Sequence, residues 1–228
     1  IASAEVTMTT HTISRIARVS LIGLALFAAL GAAPALAEAP CSNPTMQDVT
    51  FRIAKDRHKG RPNGVRKLQL KRSFSRELHF QVRFKDDVRY TTADPRNQGD
   101  WNKLLGFTTN RIHKNSVRLG WAFDPSLGES GEVRLGFYGY LDGVRTMERL
   151  ASVPLNEWAD VSIRFDTGGM SVRVGQNEKV VRGDLGVADW VPVSTWLLRT
   201  AYFGGDEKAP HTMHIEVRNL VVDEACRR

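Results

Sequence analysis

Cysteine is scarce in this sequence, with two residues among 228. Two cysteines cannot build a disulfide-rich framework or a zinc site with four thiolate ligands. The chain also lacks the phosphate-binding GxxxxGK(S/T) loop, the zinc-binding HExxH helix and the GxSxG nucleophile elbow. Nothing in the sequence therefore indicates a P-loop nucleotide hydrolase, a zinc peptidase of that type or an α/β-hydrolase.

Long apolar runs are equally scarce, and residues 19–33 form the single one. This run of about 15 residues is short for a membrane span, which needs about 20. It follows two arginines and ends in an A-x-A pattern at residues 35–37, the order of a secretory signal peptide. We therefore predict a signal peptide that starts at Met8 and is cleaved near Ala37. The alternative is an uncleaved N-terminal anchor.

Export sets the expected domain organisation and the role of the cysteines. Residues 1–37 are predicted to be upstream residues plus signal peptide, and residues 38–228 a single secreted or periplasmic domain. Cys41 and Cys226 then lie at the two ends of that domain, in a compartment that permits disulfides. We expect them to form a disulfide; the alternative is two unpaired thiols.

Positive charge is in excess, with 32 Lys and Arg against 25 Asp and Glu and a net charge of +7. Removal of residues 1–37 takes away two arginines and one glutamate, so the remaining domain keeps almost all of this charge. The basic balance favours an anionic partner: a nucleic acid, an acidic membrane surface or an acidic polymer.

The dominant hydrophobic period is two, and no window of ten or more residues after position 37 gives a convincing amphipathic helix. Many short strands separated by turn signals predict an all-β chain folded as one antiparallel β-sandwich or jelly roll. The clearest predicted strands cover 77–84, 116–123, 132–141, 160–166, 170–174 and 211–222, with shorter candidates at 49–53, 65–70 and 196–203.

Alternation also predicts which side chains face outward. In residues 132–141, Tyr138 and Tyr140 share a face with Arg134, opposite Val133 and Phe137. Polar side chains on the outward faces of other strands are candidates for the same surface, although any sandwich has a solvated polar face. These additional candidates are His79, Gln81 and Arg83 on one strand and Ser116 and Arg118 on another.

Several segments, in order, resemble polysaccharide lyases of the alginate and glucuronan lyase type, close to polysaccharide lyase family 14. The resemblance spans about residues 75–222 and is most specific where WNKLLGF resembles the family's K-L-x-G and AYFGG resembles its F-G-G stretch. SVRLGW, the strand at 131–140, the segment at 154–165 and the hairpin at 171–181 add weaker similarities. Leu105 departs from the family's usual proline, and the DPSLGESG loop resembles an insertion.

This resemblance implies a concanavalin A-like jelly roll whose concave sheet holds an anionic polysaccharide and cleaves it by β-elimination at a uronic acid. Such a reaction needs a cation for the C6 carboxylate, a base for the C5 proton and an acid for the departing O4. The candidate catalytic residues are Tyr138, Tyr140, Lys103, Arg118 and His113. The candidate substrate-binding residues are His79, Gln81, Arg83, Ser116 and Arg134.

Two functions remain open at this point. The first is a secreted or periplasmic lyase that cleaves a uronate-containing polysaccharide without metal or other cofactor. The second is a non-catalytic concanavalin-like module that binds anionic polysaccharide or cell envelope with the same cations and aromatic rings. A third function, nucleic-acid binding, is disfavoured by the predicted export and by the lack of any recognised nucleic-acid-binding motif. We expect a monomer with no nucleic-acid partner and no membrane span after signal cleavage.

Overall fold

The computed structural model describes residues 47–62, 69–73, 75–109, 111–185 and 195–224. These residues form β-strands and two short 3-10 turns, Asp86–Val88 and Pro95–Asn97, and they contain no α-helix. The strands are β1 Gln47–Ile53, β2 Lys59–Pro62, β3 Gln69–Ser73, β4 Ser75–Phe84, β5 Asn102–Thr108, β6 Ser116–Asp124, β7 Glu132–Leu141, β8 Val144–Pro154, β9 Trp158–Asp166, β10 Gly169–Val174, β11 Asn177–Arg182, β12 Thr195–Tyr202 and β13 Met213–Glu224.

The strands form an antiparallel, jelly-roll-like sandwich, as predicted. Their pairing follows the order β11-β10-β9-β4-β13-β1-β2-β12-β5-β6-β7-β8, with β3 beside β12. The sheet folds over on itself, so that β9 and β10 pack on β6. We call β11-β10-β9-β4-β13-β1 the back layer and β2-β12-β5-β6-β7-β8, with β3, the front layer.

Large side chains fill the space between the two layers, because alternate positions of each strand point inward. Phe84 of the back layer meets Trp121 of the front layer with ring centroids 5.3 Å apart, and Phe107 meets Phe165 at 6.1 Å. All four rings are almost fully buried. Each such side chain contributes about 1.5–3 kcal/mol of burial free energy, so this shared core holds the layers together.

The period-two segments correspond closely to observed strands. Residues 132–141 are β7 itself, and 116–123 lie within β6. The strand β8 was not predicted by alternation. It is an edge strand with exposed positions on both faces, including Val144 and Met147, so it has no single apolar face to generate a period.

Several predictions fall outside the described residues. The signal peptide, the boundary at residues 37 and 38, and the Cys41–Cys226 disulfide all concern residues that the structure does not describe, and they remain predictions. The strand candidate at 65–70 is described only at its last two residues, which begin β3. Within the described part of the chain, no helix has the length and apolar character that a membrane crossing requires.

Candidate active site

The outer face of the front layer carries a cavity of about 700 Å³. Strands β5, β6, β7 and β12 contribute its floor, and the loop after β5 contributes one wall. We call it the central cavity, and its polar and aromatic lining includes Lys103, His113, Arg118, Tyr138 and Tyr202. Four of the five catalytic candidates therefore line one cavity, and the fifth, Tyr140, contacts two of them.

A β-bulge brings Lys103 of β5 and Arg118 of β6 into this cavity. The register between the two strands shifts between Leu104 and Gly106, which leaves Leu105 as the extra residue. Leu105 has φ +36° and Gly106 has φ +148°. A side chain on Gly106 would overlap the Val117 carbonyl oxygen and the Cγ of Arg118, so glycine is what allows Arg118 to lie across this position.

The same bulge explains why Leu105 stands where the K-L-P-G pattern has proline. Proline has φ fixed near −65°, whereas this backbone has φ +36° at Leu105. The proline of the K-L-P-G pattern is therefore incompatible with the bulge as this chain forms it. Leu105 is instead fully buried in the core beneath the cavity.

Two tyrosines from β7 form the centre of the site. The hydroxyl oxygens of Tyr138 and Tyr140 lie 3.4 Å apart, and their rings meet edge to face with centroids 6.0 Å apart. The ring of His113 packs edge-on against Tyr140 with a centroid distance of 5.2 Å. The Nζ of Lys103 lies 4.6 Å from the Tyr138 ring centroid, and the guanidinium carbon of Arg118 lies 5.3 Å from it.

The guanidinium of Arg118 is poorly compensated, whereas the charge of Asp100 acts on the neighbouring Lys103. Arg118 is only 6% exposed, and its Nε has no hydrogen-bond partner among the described residues. Burial lowers the pKa of Arg118 from its usual range, although the neighbouring tyrosines act in the opposite direction. A buried guanidinium without a counter-ion is costly, and a ligand carboxylate would relieve that cost.

Lys103 and Tyr138 both have strongly perturbed pKa values. Burial, and secondarily the charge of Arg118, lowers the pKa of Lys103 to about 8. Burial, and secondarily the hydrogen bond with Tyr140, raises the pKa of Tyr138 to about 12. Near pH 8 the cavity thus holds an amine that readily exchanges a proton next to a phenol that retains its own.

Three of the substrate-binding candidates lie elsewhere in the molecule. His79, Gln81 and Arg83 lie on β4, which is in the back layer. Gln81 donates to Asp160 and accepts from Arg218, and Arg83 pairs with Glu216 at 2.6 Å. Their outward orientation agrees with the period-two pattern, but the structure does not bring them to the central cavity.

The remaining two candidates lie in the front layer without lining the cavity. Ser116 is fully buried, and its hydroxyl donates to the Ile112 carbonyl at 2.6 Å. This bond fixes the loop that carries His113. Arg134 shares the face of Tyr138, as predicted, but it lies four residues away along β7. It is beside Asp124, whose carboxylate is 3.5 Å from the Arg134 Nε.

Two aromatic side chains of the site were not among the candidates. Tyr202 of β12 lines the cavity and lies 5.4 Å from the Lys103 Nζ. The Trp101 ring lies beside the cavity against Gly120 and Gly136, where an added side chain would come within 3 Å of it. Both glycines share a face with the cavity residues, so paired glycines on adjacent predicted strands were the available signal for a ring lying on the sheet.

No group of three or more His, Cys, Asp or Glu side chains suited to a metal ion occurs in the described part of the chain. The groups that the cavity offers to a ligand are cations, phenols and an imidazole. Groups of these types are chemically suited to an anionic ligand and to proton transfer.

Comparisons with known proteins give distant structural likenesses. No protein-family model matches the chain, and no curated protein matches it. Among solved structures, alginate lyase AlyA1 from Zobellia galactanivorans is 13% identical with a TM-score of 0.47, over 81% of this chain and 82% of that one. Alginate lyase vAL-1 from Chlorella virus is 14% identical with a TM-score of 0.41, over 82% and 88%.

A carbohydrate-binding module is among the similar structures as well. Module CBM66 from Bacillus subtilis is 8% identical with a TM-score of 0.40, over 80% of this chain and 92% of that one.

Proposed function

We propose that this protein is a polysaccharide lyase that cleaves a uronate-containing polymer by β-elimination. The observation that supports this most directly is the juxtaposition of Lys103, Arg118 and the Tyr138–Tyr140 pair in one cavity. No salt bridge joins Lys103 or Arg118 to a carboxylate among the described residues, although the charge of Asp100 acts on Lys103, so the two cations suit an anionic sugar. The adjacent amine and phenol supply the proton acceptor and proton donor that elimination needs.

Arg118 is the group that would bind the substrate carboxylate. Its guanidinium cannot lose its proton in water and forms bidentate bonds with carboxylates. By withdrawing charge from the C6 carboxylate, it makes the C5 proton more acidic and stabilises the enolate-like transition state. Because Arg118 is only 6% exposed, this interaction takes place where water screens it little.

Lys103 is the base and Tyr138 the acid in this proposal. The neutral amine of Lys103 accepts the C5 proton, the C5–H electron pair forms the C4=C5 double bond, and the C4–O4 bond breaks. The Tyr138 phenol, whose pKa of about 12 keeps it protonated, donates its proton to the departing O4. Solvent exchange afterwards returns the proton to Tyr138 and removes it from Lys103.

Tyr140 and His113 orient the donor. The Tyr140 hydroxyl lies 3.4 Å from that of Tyr138, and the His113 ring packs on Tyr140 from the side. This arrangement restricts the Tyr138 hydroxyl to one side of the cavity. Loss of either contact is expected to reduce the rate without removing the donor itself.

The test is direct, because elimination creates a conjugated double bond that absorbs in the ultraviolet. The protein is incubated with alginate, glucuronan and other polyuronates while the absorbance is followed. We expect a rise with the parent protein and a loss of about 10²–10⁴-fold with Tyr138→Phe, while polymer binding by affinity electrophoresis changes little. Full activity of Tyr138→Phe would contradict the assignment of the acid.

A non-catalytic anionic-polysaccharide module is the second candidate. The pKa of Tyr138 favours it in one respect, since a permanently protonated phenol is also a good hydrogen-bond donor to a bound sugar. Salt-sensitive binding with no absorbance change on any polyuronate would establish this function in place of the lyase.

We also propose that the protein acts after export, as a monomer in the periplasm or outside the cell. The apolar run at residues 19–33 and the A-x-A pattern after it support this location. N-terminal sequencing of the exported protein, expected to begin near Glu38, tests it.

A further inference from the structure

A second cavity, of about 810 Å³, adjoins the central cavity and carries mostly positive charge. Five of its lining residues are lysine or arginine and one, Asp56, is a carboxylate. We call this cavity the basic groove. Its basic and aromatic lining comprises Arg52, Arg57, His58, Lys59, Arg61 and Lys208, together with Tyr202.

Strand pairing aligns the cations along one face. Arg52 of β1 is directly opposite Arg61 of β2, and Lys59 of β2 is directly opposite Tyr202 of β12. The alternate residues Phe51 and Ile53 point into the core and are fully buried. The basic groove is therefore the outer face of the sheet where it passes from the front layer to the back layer.

Backbone hydrogen bonds hold the wall of the basic groove in place. The Asp56 amide donates to the Ala209 carbonyl at 2.9 Å, and the Ala209 amide donates to the Arg57 carbonyl at 3.1 Å. These bonds tie the loop between β1 and β2 to the loop before β13. Arg57 and Lys208 are thus presented on a fixed backbone and not on a free loop.

The two cavities are continuous through Lys59 and Tyr202, which line both of them. The His58 ring stacks on Tyr202 with a centroid distance of 5.4 Å and an interplanar angle of 12°. His58 Nδ1 donates to the Phe203 carbonyl at 3.0 Å, which fixes the ring in this position. The Lys103 Nζ lies 5.4 Å from the centroid of the same Tyr202 ring.

We propose that the basic groove is a second binding site, which holds further uronate residues of the same polymer chain whose scissile unit occupies the central cavity. This inference rests on the proposed function. A chain leaving Lys103 passes beside Tyr202 and meets Lys59, Arg61 and Arg52 in turn. Successive carboxylates on one chain match successive cations on one sheet face, so the protein prefers long substrates to short ones.

The test removes two charges from the basic groove and two from a matched surface. Arg52→Gln with Lys208→Gln changes exposed residues of the basic groove, and Arg173→Gln with Arg182→Gln changes exposed residues of the back layer by the same net charge. For each protein, kcat/KM is measured on the polymer and on the shortest oligouronate that is cleaved. We expect the ratio of the two values to fall about three- to tenfold in the first variant and to stay at the parent value in the second.

A second measurement keeps the test independent of catalysis. Polyuronate binding is measured by affinity electrophoresis, with a single-stranded oligonucleotide of equal charge as competitor. Weaker polymer binding in the groove variant than in the matched control supports the basic groove even if no lyase activity is found. Equal losses in the two variants, or tighter binding of the oligonucleotide than of an oligouronate of the same charge, would overturn the proposal.

Discussion

At the residue scale, Lys103 combines two properties that surface lysines lack. Its pKa is lowered to about 8, first by burial and then by the charge of Arg118. About half of the molecules therefore hold a neutral amine at pH 8, whereas an ordinary lysine near 10.4 would be almost fully protonated. A base whose pKa is close to the working pH combines an available lone pair with sufficient basicity.

The pH profile of the reaction follows from this pKa. Because the base must be neutral, kcat/KM should rise with pH and level off above a midpoint near pH 8, the pKa of Lys103 in the free enzyme. The measurement is initial rate at low polymer concentration from about pH 6 to pH 10. A profile that falls through pH 8 would instead show that protonated Lys103 is the active form. Lys103 would then bind the substrate carboxylate and would not act as the base.

Lys103→Arg separates these two roles, since it keeps the positive charge but cannot release a proton near pH 8. We expect a loss of about 10²–10⁴-fold in kcat with polymer affinity close to that of the parent protein. Lys103→Gln serves as the comparison, because it removes the charge as well and should weaken binding. If Lys103→Arg keeps its rate, Lys103 is not the base.

Arg118 affects Lys103 in addition to binding the substrate. Its positive charge is the second cause of the lowered Lys103 pKa, so Arg118→Gln should raise that pKa above 8. The amine can be titrated by NMR of a lysine-labelled protein without substrate. An unchanged Lys103 titration would show that burial alone sets the pKa.

At the scale of the strand, the bulge at Leu105 and Gly106 determines whether the site forms. Gly106→Ala forces a side chain against the Val117 carbonyl at φ +148°, and we expect a loss of about 3 kcal/mol or more in the free energy of unfolding. Gly175→Ala is the control, because Gly175 has φ +57° and open space around it; it should cost about 1 kcal/mol. Urea unfolding measures both, and equal losses would contradict the steric argument.

The strands that form the site were predictable because their alternation is regular. Residues 132–141 place Tyr138 and Tyr140 outward and Val133, Leu135 and Phe137 inward, and the structure has the same arrangement. The bulge was not predictable from alternation, because the apolar Leu105 is compatible with either strand register. Strand β2 was likewise hidden. Its exposure alternates, with Lys59 and Arg61 exposed, but glycine and proline occupy the inward positions and indicate a turn instead of a strand.

At the scale of the whole molecule, the sequence pattern could not assign strands to layers. His79, Gln81 and Arg83 alternate with core residues as Arg118 does, but β4 pairs with β9 and β13 in the back layer. Alternation distinguishes inward from outward on each strand and says nothing about which of two outer faces results. The front-layer grouping of Lys103, Arg118 and Tyr138 depends on long-range pairing of β5, β6 and β7.

The net charge of +7 predicts how the whole molecule responds to salt. The basic groove is exposed, whereas Arg118 is buried, and the Debye length shrinks from about 30 Å at 0.01 M to about 8 Å at 0.15 M salt. Polymer affinity should therefore fall about tenfold over this range. The rate at saturating polymer should change by less than about twofold, because the groups that act on the bound sugar are screened much less.

Titration of polymer binding and of kcat at four or five ionic strengths measures the two effects separately. The Arg52→Gln/Lys208→Gln variant should show a shallower salt dependence of affinity than the Arg173→Gln/Arg182→Gln control, since the groove cations are the ones a polymer contacts. If both variants keep the parent slope, the attraction comes from the overall charge of the molecule and not from the basic groove. If kcat falls as steeply as affinity, salt screens the central cavity as strongly as the basic groove. That result would contradict the argument from the burial of Arg118.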